Sequence, residues 1–175
     1  MSFTLILFIG ILGVLVVIFL KKLITGMIGD DYKVVHNLKS AKWFQNHWLG
    51  GIFLFAINVV LFFSTGLVLY LLLYFSIPFV HLIVMILAVI VSIFSWVLIN
   101  HAWQGTKSNR LKMGFLGSSF YVFLTLVLAY QLVTLKSSYP NEDTCMGGII
   151  GLVFGIIVTT VAFITCFTIT GFSKK

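Results

Sequence analysis

The sequence predicts an all-α integral membrane protein with five transmembrane helices, and composition is the first reason. Hydrophobic residues make up 61% of the chain and charged residues only 9%, whereas about a quarter of the residues are charged in soluble domains. The second reason is a stretch of about 64 residues, 43–106, that contains no Asp, Glu, Lys or Arg. The third is that basic residues lie in the short segments between apolar runs. We therefore expect residues 1–175 to form a single membrane domain.

Each predicted span is an apolar run of about 20 residues, the length that crosses a bilayer. The first span, 3–20, ends at Lys21-Lys22 and lacks the basic start and cleavage site of a signal peptide, so we expect it to be retained. The uncharged stretch 43–106 is too long for one crossing and is interrupted at Ser76-Ile77-Pro78, which predicts a hairpin. The hairpin spans are predicted at about 48–75 and 79–100, and two further spans at about 115–135 and 147–172.

The first loop contains an amphipathic segment at about residues 30–47. Its apolar residues fall on one face of a helix and its lysines towards the other; the apolar face comprises Val34, Val35, Leu38 and Ala41. Asp30 and Asp31 stand where carboxylates stabilise a helix N-terminus. This pattern predicts an interfacial helix lying along the cytoplasmic face of the membrane. The alternative is a solvated loop.

The distribution of charge predicts the orientation. Five spans place the first loop, the third loop and the C-terminus on one side, which then carries all 11 lysines and arginines except Lys136. Because basic loops stay in the cytoplasm, the N-terminus is predicted to lie outside and the C-terminus inside. The net charge of +7 is therefore assigned to topology and to anionic lipids at the cytoplasmic face, and not to nucleic acid.

The fifth predicted span has a helix face made of small residues. They recur at helical spacing and are Gly147, Gly151, Gly155, Thr159, Ala162 and Cys166. Small residues let another helix approach closely, and van der Waals contact then drives association within lipid. We expect this face to pack against the rest of the bundle, against a membrane-protein partner or against a second copy of the chain.

Polar residues within the predicted spans form a candidate midplane site. Asn58, Thr125 and Thr160, with Thr159 beside it, are predicted to lie near the same depth, about the bilayer centre. An unpaired amide in lipid is costly, so one interpretation is that Asn58 hydrogen-bonds another helix. The other is that these side chains line a path for a solute.

A second candidate site lies at the cytoplasmic rim, where the hairpin brings two Asn-His pairs together with tryptophans. Its members are Asn46, His47, Trp48, Asn100, His101 and Trp103. Two imidazoles suggest a metal or an anionic headgroup, and His36 is a candidate third ligand. Two ligands are incomplete for a structural metal, so we predict no metal here. The alternative is an aromatic belt with polar caps.

The residue types that are missing from the predicted spans disfavour several classes of membrane protein. No Asp, Glu, Lys or Arg lies within a predicted span, which disfavours proton-coupled transport, voltage sensing and retinal binding. No nucleophile with a base, no paired carboxylates and no phosphate-binding loop appears, so we expect neither catalysis nor a cofactor.

Two functional hypotheses remain. The first is a non-enzymatic accessory, assembly or protective subunit that contacts a larger membrane complex through helix packing. The second is a small transporter or channel for a neutral or lipid-like solute. The Lys-rich, Arg-poor usage and short loops favour a bacterial plasma membrane, with a membrane-protein partner or a homo-oligomer.

Overall fold

The computed structural model of the chain describes residues 33–75, 80–134 and 143–172, and its regular structure there is all α-helix. The helices are α1 (Lys33–Ser40), α2 (His47–Tyr74), α3 (Val80–Ala102), α4 (Lys107–Thr134) and α5 (Asp143–Gly171). The predicted first span, 3–20, lies outside the described residues, as do Asp30 and Asp31. The prediction of an all-α chain is confirmed.

Helices α2 to α5 have the length and composition of membrane-spanning helices. The four crossing segments are His47–Leu72, Ile83–Ala102, Lys107–Thr134 and Gly148–Gly171. About 20 apolar residues suffice to cross the hydrocarbon core, so each of the four is long enough. The described part of the chain is thus compatible with a multi-pass membrane protein.

Two helices begin earlier than the sequence predicts. Helix α4 starts at Lys107 and not at about 115. Thr106 caps it, because its Oγ1 accepts a hydrogen bond from Asn109 N at 3.4 Å and its carbonyl accepts one from Arg110 N at 3.0 Å. Lys and Arg have high helix propensity, so the basic segment forms the first turns of the helix and not a loop. Helix α5 starts at Asp143 and not at about 147.

The four long helices form a ring in the order α2, α4, α5, α3. Helix α4 makes its most extensive contacts with α5 and then with α2, while α3 contacts both α2 and α5. Although α2 and α3 are neighbours in sequence, the main neighbour of α2 is α4. The short helix α1 packs against α3.

Five segments meet at one end of the ring, which we call the basic end. They are α1, the start of α2, the end of α3, the start of α4 and the end of α5. Two contacts show this: Gln45 Nε2 donates to the Ala102 carbonyl at 3.2 Å, and Gly114 contacts Thr170 and Gly171. The basic residues described there are Lys33, Lys39, Lys42, Lys107, Arg110 and Lys112.

The buried core lies in the half of the bundle next to the basic end. Its apolar members are Val35, Phe44, Leu54, Trp96, Val97, Ile99, Ala102, Trp103, Met113, Phe120, Tyr121, Cys166 and Ile169. In the other half, large apolar side chains such as Phe63, Leu67, Ile86 and Ile90 are exposed. The described helices therefore pack tightly in one half and leave much apolar surface uncovered in the other.

The amphipathic segment is helical only in part, which corrects its predicted extent of 30–47. Helix α1 ends at Ser40, and turns stabilised by backbone hydrogen bonds from Ala41, Phe44 and Asn46 lead to α2. Val35 and Phe44 are fully buried, and Leu38 and Ala41 pack against the core. The chain turns after α1 because this lets Phe44 enter the core, where its ring lies 6.1 Å from that of Trp103.

Helices α2 and α4 approach closely because each offers a glycine to a leucine of the other. A Cβ atom at Gly51 would lie 2.7 Å from the nearest side-chain atom of Leu116, and a Cβ atom at Gly117 would overlap the side chain of Leu54. Real Cβ contacts are not this short, so neither position admits a larger residue without movement of the helices.

We predict that Gly117→Ala destabilises the protein. The added methyl group forces α2 and α4 apart, and overpacking of this kind costs about 1–3 kcal/mol. The measurement is the free energy of unfolding of the purified protein in mixed detergent micelles. Gly66→Ala is the matched control, since a Cβ atom at Gly66 meets nothing within 4 Å. Equal stability of the two variants would contradict this account of the α2–α4 contact.

Candidate functional site

The polar centre of the bundle is the side-chain amide of Asn58, which is fully buried. Its Nδ2 donates to the Gly117 carbonyl at 3.1 Å and to Cys166 Sγ at 3.7 Å. Its Oδ1 accepts from Trp96 Nε1 at 2.8 Å and from Tyr121 Oη at 3.4 Å. An amide has two donors and two acceptor positions, so this one is fully paired. Its partners lie on α3, α4 and α5, and Asn58 itself lies on α2.

The local sequence explains why Asn58 reaches these partners. Leu54 lies one helical turn before Asn58 on the same face of α2 and packs on Gly117. The absence of a side chain at Gly117 lets the two backbones approach, which brings the amide within reach of the Gly117 carbonyl. An amide buried in an apolar core is costly unless it is hydrogen-bonded, so close packing and polar pairing occur together here.

Sequence reasoning identified Asn58 but not its partners Trp96 and Tyr121. Their rings are in edge contact, with centroids 6.1 Å apart and planes at 86°. A signal was present, because a buried Trp or Tyr usually needs a partner for its N–H or O–H group. Sequence reasoning considered only Trp48 and Trp103, as an aromatic belt at the membrane interface, and made no prediction for Trp96.

Thr125 on α4 pairs with Thr159 on α5, and not with Thr160. The Oγ1 atoms of Thr125 and Thr159 lie 2.8 Å apart, so one hydroxyl donates to the other. Thr160 is exposed, and its Oγ1 donates to the Ile156 carbonyl of its own helix at 2.7 Å. The placement of Thr160 in a midplane polar site is therefore corrected. Neighbouring residues point to different sides of a helix, and the sequence does not fix which side faces inward.

Asn58 and the Thr125–Thr159 pair also occupy different levels of the bundle. Thr125 lies about two turns beyond Gly117 along α4, on the order of 12 Å. The depths predicted from the sequence coincided because α4 was taken to begin at about 115, whereas it begins at Lys107. Asn58 and Thr125 are thus not brought into contact.

The small-residue face of α5 is divided between packing and open space. A Cβ atom at Gly155 would lie 3.1 Å from Leu128, Thr159 and Cys166 are buried, and Ala162 packs against the core. Gly151 is exposed, and a Cβ atom there would meet no atom of the described residues within 4 Å. The surroundings of Gly147 lie outside the side chains described.

At the basic end, the predicted rim residues have distinct roles. Asn46 Oδ1 accepts from Trp48 N at 3.1 Å and caps α2, while the Trp48 side chain is 60% exposed. Trp103 is only 3% exposed and belongs to the core, and Asn100 Nδ2 donates to the Ile169 carbonyl at 2.6 Å.

The histidines of the rim do not form a metal site with other ligands in the described structure. His47 and His101 are half-buried and His36 is exposed. Within residues 33–75, 80–134 and 143–172, no group of three or more His, Cys, Asp or Glu side chains is placed to hold a metal ion.

A residue that the sequence did not single out, Gln45, joins the two connections at the basic end. Its Nε2 donates to the Ala102 carbonyl at 3.2 Å and to the Lys39 carbonyl at 3.4 Å, and its Oε1 accepts from Gln104 N at 2.9 Å. The α1–α2 connection is thereby tied to the α3–α4 connection. A glutamine in a polar loop carries no sequence signal for such a role.

An apolar groove of about 340 Å³ runs along the outside of α2 and α4. It is lined by Phe55, Phe115, Ser119, Val122, Phe123 and Leu126. Neither Asn58 nor Thr125 lines it, so the groove is separate from the polar centre.

Comparisons of the chain with protein-family models, with curated proteins and with solved structures find no match.

We predict that Asn58→Leu destabilises the bundle whereas Thr160→Val does not. Leucine has a similarly branched but larger side chain, and it leaves the Trp96 N–H group and the Gly117 carbonyl without their partner. Interhelical hydrogen bonds in membranes are worth about 1–2 kcal/mol. Thr160 is exposed and bonds only within α5. Unfolding in mixed micelles, followed by tryptophan fluorescence, measures both variants. An unchanged Asn58→Leu protein would show that the amide does not hold the helices together.

Proposed function

We propose that the protein is a non-enzymatic accessory, assembly or protective subunit that binds a larger membrane complex through helix packing. The observation that supports this most directly is the open glycine surface of α5. Gly148 and Gly151 lie three residues apart on one side of the helix, and among the residues that the structure describes a Cβ atom at either meets nothing within 4 Å.

A glycine surface of this kind suits a partner helix. Within lipid, helices associate through close van der Waals contact, which small residues permit. The same side of α5 continues to Gly155, which receives Leu128 of α4. The helix therefore uses small residues for packing inside the chain and offers further ones to a neighbour.

The state of the polar centre also favours a structural role over transport. Asn58 is paired on all four of its hydrogen-bonding positions, and Thr125 and Thr159 are paired with each other. A solute path needs polar groups that can exchange protein partners for solute. The side chains of Asn58, Thr125 and Thr159 instead use their hydrogen bonds to link helices.

For the membrane topology we propose five spans, with the N-terminus outside and the C-terminus in the cytoplasm of a bacterial plasma membrane. The grouping of Lys39, Lys42, Lys107 and Arg110 at one end of the bundle supports this orientation, because basic residues stay on the cytoplasmic side. Anionic lipids are expected to gather at that end.

A second candidate function is transport or binding of a lipid-like solute. The groove along α2 and α4 favours it, since its phenylalanine lining suits an acyl chain. In this alternative the solute contacts the outside of the bundle and not the Asn58 amide.

We predict that Gly151→Leu abolishes capture of a stoichiometric membrane-protein partner. The large side chain prevents close approach of the partner helix, so recovery falls by about tenfold or more, a change that corresponds to about 1.4 kcal/mol or more of binding free energy. The measurement is gentle extraction from the native host, purification and mass spectrometry of the co-purifying proteins. Gly66→Leu on α2 is the matched control, because Gly66 also faces open space.

The experiment separates the alternatives. Equal loss of the partner in both variants would contradict a specific role of the α5 surface. A chain that purifies without a protein partner and carries lipid would contradict the accessory function and favour the groove.

A further inference from the structure

The basic end carries positive charge that no acid offsets within the described residues. Asp143 is the only acidic residue among them, and it begins α5, at the opposite end of that helix from Gly171. Lys42, Lys107 and Lys112 are exposed and Arg110 is half-buried. The surface formed by the α3–α4 connection and the first turn of α4, residues 103–110, therefore attracts anions.

The α3–α4 connection presents hydrogen-bond donors as well as charge. It leads into the N-terminus of α4, a helix of 28 residues, where the amides of Lys107 and Ser108 have no acceptor within the helix. The aligned peptide dipoles make such an end positive, and anions bind to it readily.

Two buried donors beside this connection have no partner in the part of the chain that the structure describes. Trp103 is 3% exposed, and its Nε1 makes no hydrogen bond. The ideal Cβ position of Gly105, in the middle of the connection, is 3.1 Å from this atom, so the indole edge lies under a residue that has no side chain. Arg110 Nε is also buried and unpaired, while Arg110 Nη2 donates to the Trp103 carbonyl at 3.2 Å.

Unpaired buried donors are uncommon in folded proteins, because each loses its bond to water without replacement. Here one donor belongs to Trp103 in the connection and the other to Arg110 in the first turn of α4, a helix whose first amides also need acceptors. A ligand that satisfies them has to carry several acceptor oxygens and negative charge. A phosphate group has both, and guanidinium and helix amides are its usual partners.

We propose that the α3–α4 connection binds a phosphate group through the first amides of α4, the Arg110 guanidinium and the Trp103 indole N–H. Binding requires a small displacement of the connection at Gly105, which exposes the indole edge to the ligand. The phosphate comes either from the headgroup of an anionic phospholipid or from free inorganic phosphate. This site is independent of the partner surface proposed on α5.

The test uses the full chain, purified in a detergent without phosphate and labelled with ¹⁵N at the tryptophan indoles. One sample is titrated with phosphatidylglycerol and another with sodium phosphate, against sodium chloride at the same ionic strength. We expect the indole signal of Trp103, assigned from Trp103→Phe, to shift on binding while that of Trp96, which is buried and bonded to Asn58 Oδ1, stays in place. A response to the lipid alone identifies a headgroup site, and a response to both identifies a general phosphate site.

Matched variants test the residues. Arg110→Gln and Lys42→Gln remove the same charge at the same end of the bundle, and we expect the first to weaken binding about tenfold and the second less than about twofold. Arg110→Lys keeps the charge but loses Nε, so we expect its loss of affinity to lie between those of the other two variants. It replaces Arg110→Gln in the comparison if that variant does not fold. Equal effects of Arg110→Gln and Lys42→Gln, or a Trp103 signal that does not shift with either ligand, would overturn the proposal.

Discussion

The full pairing of the Asn58 amide is the constraint on which the rest of the bundle depends. In hydrocarbon there is no water to hydrogen-bond a polar group, so a buried amide must find every hydrogen-bond partner within the protein. Asn58 finds them on three other helices, which fixes how α3, α4 and α5 are rotated relative to α2. The contact of Leu54 with Gly117 sets the distance at which this is possible. Packing and polarity thus specify the same arrangement.

From this centre the two halves of the bundle differ in character. Towards the basic end, aromatic and aliphatic side chains fill the space, and Gln45 closes the connections. Towards the other end, the apolar side chains of α2 and α3 and the glycines of α5 face outward. The two surfaces that we propose for binding are therefore of different kinds. The α5 surface is apolar and made of small residues, which suits a helix. The α3–α4 connection is positively charged and carries hydrogen-bond donors, which suits an anion.

The existence of the membrane-length helices was predictable, because long uncharged runs have few alternatives in lipid. The start of α4 was not, because Lys107 and Arg110 suit both a loop and a helix. The sequence indicated that Asn58 needs partners but not which ones, since these depend on helix rotation. For the same reason the sequence did not distinguish Thr159, which faces inward, from Thr160, which does not, and it placed Trp103 at the interface when it lies in the core.

The positions of the Asn58 partners along the chain have a consequence for biosynthesis. When α2 enters the membrane, none of them has yet been made. Trp96, 38 residues later, supplies the first partner as α3 inserts, whereas Gly117, Tyr121 and Cys166 follow Asn58 by 59, 63 and 108 residues. The nascent hairpin thus carries an incompletely paired amide until α4 and α5 have been made. We expect it to stay near the insertion machinery, or near a polar neighbour, until α4 and α5 arrive.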